Sequence, residues 1–219
     1  MEKVMIIGAN GTTGRIVSKM LAHSKKYQAI AMIRKVEQTE FFNKLGVETC
    51  IGDLEQDFSN CFNCIDKVIF VAGSGSKTGP EKTTSVDQEG AKRAVNYAEK
   101  NKLKKFVMLS SIGTYQPEKA GDLEHYIRAK KEADEYLRKS ELNYSIVQPG
   151  RLTNEKASGK VKTAKQLSDY GSISRADVAH ILIECLTDDA ANRKSFEVIE
   201  GNDAIKNAVS NIYSTTKAL

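Results

Sequence analysis

The sequence predicts an α/β domain built on a doubly wound parallel sheet. Three observations predict it: short apolar runs recur along the chain, amphipathic segments separate them, and a glycine-rich turn follows the first run. A chain of 219 residues lies in the size range of one compact domain. We therefore expect residues 1–219 to form a single domain.

Six short apolar runs are the predicted strands. They are rich in Val, Ile, Met or Phe and lack the polar alternation of a half-exposed strand. Runs that are apolar on both faces are typical of a parallel sheet covered by helices on each side. The predicted strands are Val4–Ile7, Ala29–Ile33, Val47–Ile51, Val68–Ala72, Phe106–Leu109 and Tyr144–Val147.

The segments between the runs have helical periodicity. Ile16, Val17, Met20 and Leu21 recur at the spacing of one helix face, and a further helix is predicted over Glu124–Lys139. Because strand and helix alternate, the connections are expected to be right-handed crossovers between parallel strands.

The regular alternation stops after Pro149. We expect an irregular stretch from Arg151 to Gly171, a helix over Ala176–Leu186, a strand over Phe196–Ile199 and a terminal helix. Because this tail is too short for a large separate domain, residues 151–219 are predicted to form a small lobe on the substrate side.

The composition favours a soluble cytoplasmic protein. The net charge of +5 is modest and spread along the chain, which disfavours nucleic acid as a partner. No apolar run approaches the roughly 20 residues that span a bilayer, so no membrane partner is expected. A small molecule is the expected partner, and the oligomeric state stays open.

The four cysteines include a C-x-x-C pair, Cys61 and Cys64. A structural zinc site needs a second pair of ligands, and the sequence has none at suitable spacing, so no metal is expected. We expect the two residues to be reduced thiols packed near a helix end.

The turn after the first strand predicts a phosphate-binding loop. It carries glycines at G-x-x-G-x-x-G spacing and opens a helix, as in the Rossmann fold. The first glycine permits a tight turn, the second lets a pyrophosphate approach the backbone, and the third permits close helix packing. The predicted binding residues are Gly8, Asn10, Gly11, Thr12, Thr13 and Gly14.

The end of the second strand indicates which dinucleotide binds. An acidic residue there would bind the ribose 2′-hydroxyl of NAD, whereas this chain carries Arg34 and Lys35. A guanidinium can bind a phosphate through two hydrogen bonds. The predicted cofactor is therefore NADP(H).

A candidate catalytic set follows the fifth strand. Ser110 and Ser111 end that strand, and Tyr126 and Lys130 come later at a spacing that places both on one helix face. A tyrosine hydroxyl with an unperturbed pKa of about 10 is a poor acid at neutral pH, and a neighbouring ammonium stabilises its phenolate.

On these motifs the chain resembles the short-chain dehydrogenase/reductase superfamily. Within it, the chain is most similar to the compact atypical NAD(P)-binding members related to the NmrA-like proteins. The resemblance also rests on Gly52-Asp53-Leu54, Val71-Ala72-Gly73 and Pro149-Gly150-Arg151-Leu152. The chain departs from the classical branch, whose Asn-Asn-Ala-Gly motif it lacks. Its short tail disfavours the nucleotide-sugar epimerisation of the extended branch.

The resemblance implies roles for individual residues. Tyr126 would donate a proton, Lys130 would also bind the nicotinamide ribose, and Ser111, four residues before Tyr115, would polarise a carbonyl oxygen. The other residues with implied cofactor contacts are Asp53, Leu54, Ala72, Gly73, Pro149, Gly150, Arg151 and Leu152. His125 is expected to face away from Tyr126.

The predicted function is an NADPH-dependent oxidoreductase that transfers a hydride to a small carbonyl or related acceptor. Two alternatives stay open: a regulator that senses the NADP/NADPH ratio without turnover, and a reductase of flavins or other ring systems that needs no tyrosine acid. The Ser111, Tyr126 and Lys130 set favours the enzyme, because a sensor does not need all three.

Overall fold

The computed structural model describes residues 1–75 and 78–212. Its main sheet has nine strands within these residues, in the order β11-β8-β10-β6-β5-β4-β1-β2-β3. The other two described strands, β7 and β9, pair with each other. The strands are β1 (Glu2–Ile7), β2 (Tyr27–Ile33), β3 (Glu48–Ile51), β4 (Lys67–Phe70), β5 (Lys105–Leu109), β6 (Tyr144–Pro149), β7 (Arg151–Thr153), β8 (Lys160–Ala164), β9 (Ser172–Ser174), β10 (Lys194–Glu200) and β11 (Asp203–Ala204).

The sheet is parallel from β3 through to β10, as predicted. The strand order runs outward from β1 in both directions, with β2 on one side and β4 on the other. At such a switch point the loops that leave neighbouring strands diverge, and a crevice opens at their carboxyl ends. All six predicted strands are present, and β4 ends at Phe70 rather than at Ala72.

Helices cover both faces of the sheet. Val17 and Leu21 of α1 pack with α6 on one face, whereas Ala94, Val95 and Leu137 of α4 and α5 pack on the other. The predicted helix over Glu124–Lys139 is present with those bounds. The helices are α1 (Thr12–Ala22), α2 (Thr39–Asn43), α3 (Pro80–Lys82), α4 (Ala91–Lys100), α5 (Glu124–Lys139), α6 (Arg175–Glu184) and α7 (Ile205–Asn211).

A π-helix, Thr83–Gly90, joins α3 to α4 without a break. Such wide turns are rare and are often found at functional sites. This one buries Thr83, Asp87 and Gly90. Buried Asp87 thus reaches the carboxyl edge of the sheet from the middle of a long helical stretch.

The prediction of an irregular stretch from Arg151 to Gly171 was wrong in part. Strands β8, β10 and β11 extend the main sheet, and β7 and β8 lie in the stretch predicted to be irregular. The sequence does not predict β8, because only Val161 of its five residues is buried and the strand has no apolar run. Residues 213–219 of the predicted domain lie outside the described residues.

The prediction for the cysteines was also wrong. Cys61 is bonded to Cys50 in a disulfide that links β3 to the short helical turn Ser59–Phe62, and Cys64 is exposed. The partner of Cys61 is eleven residues away rather than three, and sequence spacing does not reveal it. No group of metal-binding side chains occurs in residues 1–75 and 78–212. In the same ranges, no helix has both the length and the apolar character needed to cross a membrane.

Candidate active site

Two adjoining cavities open at the carboxyl edge of the sheet. The first, of about 490 Å³, follows β1, β2 and β3, and we call it the adenine-end cavity. The second, of about 730 Å³, lies against the start of α1 and the first turns of α5, and we call it the reaction cavity. Both are lined by Gly11 and by Val71–Ser74 after β4, so the two form one groove.

Two glycines in the turn after β1 let neighbouring backbone segments pack closely against it. Gly8 has a φ of +88°, and a Cβ there would lie 2.6 Å from the Cα of Ala72. A Cβ on Gly14 would lie 2.2 Å from the carbonyl oxygen of Gly8. Gly14 therefore permits close packing and lines neither cavity. The other predicted residues of the turn each line at least one of the two cavities: Gly8, Asn10, Gly11, Thr12 and Thr13.

The first turn of α1 fits a bound phosphate. Its N-cap residue, Gly11, is extended, no side chain caps the helix, and the first turn contains no acidic residue. The amide groups at the start of a helix are free donors at the positive end of its dipole. With no carboxylate or hydroxyl bound to them, they can donate hydrogen bonds to the pyrophosphate of a dinucleotide.

Three of the predicted residues that line the adenine-end cavity follow β2 and β3. Asp53 and Leu54 line it after β3, and Arg34 lines it after β2. The side chain of Gln38 accepts hydrogen bonds from the backbone amides of Arg34 (3.0 Å) and Lys35 (3.2 Å), which fixes the turn after β2. Lys35 itself lines neither cavity, which leaves Arg34 as the cation of this pair in contact with the groove.

Sequence reasoning missed a second cation at this end. Lys82 of α3 lines the adenine-end cavity, and its Nζ lies 2.7 Å from Oε2 of Glu55. The hydrogen bond from Lys82, with one from Ser85, lowers the pKa of Glu55 and keeps that carboxylate charged. No local pattern relates Lys82 to Arg34, because only the folding of α3 over the sheet edge brings it to this cavity.

Lys130 is held in a buried ion pair. Its Nζ lies 3.1 Å from Oδ1 of Asp87 and 3.4 Å from the carbonyl oxygen of Ala72. The other carboxylate oxygen of Asp87 accepts a 2.8 Å hydrogen bond from the amide of Ser74. Burial lowers the pKa of Lys130, but the opposing charges of Tyr126, when ionised, and of Asp87 outweigh it, so the pKa is raised. The side chain therefore stays a cation at neutral pH.

Tyr126 and Lys130 line the reaction cavity together, as their spacing predicts. The Lys130 Nζ lies 5.7 Å from the centroid of the Tyr126 ring. Asp87 forms the third member of this group and is a further residue that sequence reasoning missed.

His125, which the sequence predicts to face away from Tyr126, also lines the reaction cavity. Its Nε2 lies 2.9 Å from the carbonyl oxygen of Pro80 and 3.3 Å from Oγ1 of Thr84. The segment formed by α3 and the π-helix packs across the start of α5, and the cavity therefore reaches more than one face of that helix.

The structure places Ser110, and not Ser111, in the wall of the reaction cavity. The Ser110 hydroxyl donates a 2.8 Å hydrogen bond to buried Asp134, whereas the Ser111 hydroxyl donates to the neighbouring carbonyl oxygen of Ile112. Successive residues at a strand end point in opposite directions, so only one of the two can face the cavity. Counting back four residues from Tyr115 therefore selects Ser111, although Ser110 is the serine that lines the cavity.

Behind Ser110 lies a buried polar cluster. Oδ2 of Asp134 also accepts a 2.9 Å hydrogen bond from Gln148, which donates in turn to Thr114. Burial raises the pKa of Asp134 to about 6, against the lowering effect of Arg138 and of these hydrogen bonds.

Of the four predicted residues from Pro149 to Leu152, only Leu152 lines the reaction cavity. Pro149 ends β6, and Arg151 is exposed on β7. Gly150 is packed so closely that a Cβ would lie 2.3 Å from the carbonyl oxygen of Gly171. Pro149, Gly150 and Arg151 therefore shape the backbone beside the cavity and do not line it.

The doubly wound sheet, the uncapped glycine turn and the groove at the switch point define a dinucleotide-binding protein. The chain belongs to the NAD(P)H-binding family, which it matches over residues 8–189. This membership confirms the predicted resemblance and the NAD(P)-binding fold.

Similar proteins have been described in several bacteria. The chain is 36% identical over 211 residues to an uncharacterized sugar epimerase of Bacillus subtilis, YhfK, covering 94% of this chain and 98% of the relative. A Bacillus halodurans structure, provisionally described as an NAD-dependent epimerase/dehydratase, has a TM-score of 0.91 and 37% identity, covering 96% of this chain and all of that one. The Lactococcus lactis oxidoreductase ylbE has a TM-score of 0.85 and 33% identity, with 97% of each chain covered.

Proposed function

We propose that this protein is an NADPH-dependent oxidoreductase that reduces the carbonyl group of a small molecule to an alcohol. The observation that carries the proposal is the buried Asp87–Lys130 pair beside Tyr126, in the same cavity as the start of α1. A cavity that only bound a nucleotide would not need the phenol ring of Tyr126 beside the buried ammonium group of Lys130. We place the activity in the cytoplasm, the compartment that the sequence predicts.

The residues present fit NADP(H) as the cofactor. The amides of Thr12 and Thr13 would hold the pyrophosphate, Asp53 and Leu54 would border the adenine, and Arg34 would bind the 2′-phosphate. When bound, NADPH supplies the hydride that the carbonyl carbon accepts.

The protein's own residues supply the proton. The Tyr126 hydroxyl donates its proton to the carbonyl oxygen, and the Lys130 ammonium stabilises the phenolate that remains. Asp87 holds Lys130 in place through their ion pair, at 3.1 Å. The Ser110 hydroxyl donates a hydrogen bond to Asp134, so its oxygen is free to accept a hydrogen bond from a group in the cavity.

The test is a screen of aldehydes, ketones, quinones and flavins for NADPH oxidation, followed by Tyr126→Phe. Turnover of a carbonyl substrate should fall by about 10²–10⁴-fold, the usual contribution of a positioned acid, with NADPH affinity unchanged. Tyr136→Phe is the matched control, because Tyr136 lies on the same helix and its hydroxyl bonds Asn96 instead. An unchanged rate in Tyr126→Phe would favour a ring-system reductase. Tight NADPH binding with no acceptor would favour a regulator.

A further inference from the structure

Arg175 is a cation of the reaction cavity that the proposed chemistry does not use. It is the first residue of α6 and lines the cavity beside Leu152. The Arg175 Nη1 donates to two neutral acceptors, the carbonyl oxygen of Leu152 at 3.3 Å and Oδ1 of Asn154 at 2.9 Å. These bonds hold the guanidinium in one orientation.

Within the described part of the chain, the charge of Arg175 has no counterion. No carboxylate of residues 1–75 or 78–212 forms an ion pair with it. An arginine side chain has five N–H donors in a planar fork, and only those on Nη1 are used here. The edge formed by Nε and Nη2 is free to bind an anion through two parallel hydrogen bonds.

The other charged or titratable groups in the wall of the reaction cavity are less available to a ligand than Arg175. Lys130 is neutralised by Asp87 at 3.1 Å. Asp122 is exposed before α5, and the His125 ring is bonded to α3 through the carbonyl oxygen of Pro80. Among the described residues of this wall, Arg175 is therefore the cation with charge left for a ligand.

Much of the remaining wall is apolar, with Leu109, Leu123, Leu152 and Pro80 among its residues. A largely apolar pocket with a few fixed polar groups typically binds an apolar body and orients it by those groups. We infer that the substrate carries an anionic group, a carboxylate being the simplest, on an apolar body, and that Arg175 binds this group. The inference rests on the proposed function, since it takes the carbonyl of the same molecule to be the reacting group.

The experiment measures binding apart from turnover. 4-Formylbenzoate and its methyl ester share a carbonyl and an aromatic body but differ in charge. Their dissociation constants are measured by calorimetry with the protein saturated by NADP⁺, in which no reduction can occur. We expect the acid to bind at least tenfold more tightly than the ester. Arg175→Gln should abolish this difference and leave the affinity for the ester unchanged.

Arg175→Lys keeps the positive charge but lacks the planar guanidinium with its two parallel donors. It should therefore retain part of the preference for the acid. Arg128→Gln is the matched control, because Arg128 is exposed on α5, pairs with Glu124 and does not line the cavity. This variant should bind both compounds as the unmodified protein does.

The outcomes separate the inference from the proposed function. Equal affinities for acid and ester, or a preference that survives Arg175→Gln, would overturn the inference. Loss of NADP⁺ affinity in Arg175→Gln without an effect on the acid would also overturn it, because Arg175 would then bind the cofactor. If the acid binds through Arg175 but NADPH reduces no carbonyl compound, the inference holds and the proposed function fails.

Discussion

The hydroxyl of Ser110 and the carboxylate of Asp134 are joined by a 2.8 Å hydrogen bond across the wall of the reaction cavity. Ser110 faces the cavity, whereas Asp134 is completely buried on α5. The ionised carboxylate fixes the serine as a donor toward the protein interior. The protonation state of Asp134 therefore sets which hydrogen bond the serine can offer to a ligand.

Asp134 should make stability depend on pH in the direction opposite to most carboxylates. Its folded pKa of about 6 lies above the unfolded value of about 3.9, so the folded state binds the proton more tightly. Its stabilising contribution is complete below pH 3.9 and is lost as the pH rises through 6. We expect a loss on the order of 2–3 kcal/mol, at about 1.4 kcal/mol for each tenfold change in proton affinity.

Asp134→Asn should lack this pH dependence, because its amide oxygen accepts the same hydrogen bonds and does not titrate. Urea unfolding of both proteins at pH 4.5 and 7.5 gives the difference, and Asp122→Asn serves as an exposed control. Parallel changes in the free energy of unfolding for the protein and Asp134→Asn would contradict the prediction.

The Asp87–Lys130 pair should be strongly coupled. Removing one member leaves the other as a buried unpaired charge, which costs about 3–5 kcal/mol. Lys130→Met and Asp87→Asn should each lower the free energy of unfolding substantially, and the double variant should lose much less than the sum. Denaturant unfolding of the four proteins measures the coupling. Additive losses would mean that the two side chains act independently.

Arg34 should determine the preference for NADPH over NADH. A charge-assisted bidentate contact with the 2′-phosphate contributes about 1–3 kcal/mol, so Arg34→Ala should weaken NADPH binding by about 5–150-fold. NADH affinity should not change. Lys35→Ala is the control, because Lys35 lines neither cavity. Equal NADPH affinity in Arg34→Ala and the unmodified protein, measured by nicotinamide fluorescence, would rule out this contact.

The Cys50–Cys61 disulfide should stabilise the fold rather than take part in the reaction. It closes a short loop, for which chain entropy gives a stabilisation of about 2–3 kcal/mol. Cys61→Ser should lower the free energy of unfolding by this amount in the absence of reductant, and Cys64→Ser should not. Thiol titration should find Cys64 in the folded protein and Cys185 only after unfolding. Reaction of all four cysteines without reductant would show that no disulfide is present.

The parts of the fold that the sequence predicts depend on local patterns. The parallel strands are apolar on both faces, the glycine turn lies directly after β1, and Tyr126 and Lys130 are four residues apart on one helix. Asp87 has no such signal: it lies 43 residues before Lys130 in a polar stretch, and only the packing of the π-helix on α5 brings them together. Ser110 was missed for a related reason, since counting residues does not give the direction in which a side chain points.

The π-helix has a consequence for how this chain can change in length. An α-helix turns by about 100° per residue, and a π-turn accommodates one residue more than an α-turn. Deleting one residue between Thr83 and Gly90 would let the stretch from Pro80 to Lys100 wind as a regular helix. Everything before the deletion, including Lys82 at the adenine end, would then rotate by about 100° relative to α4. The spacing of residues in this segment, and not only their identity, therefore keeps both ends of the groove aligned.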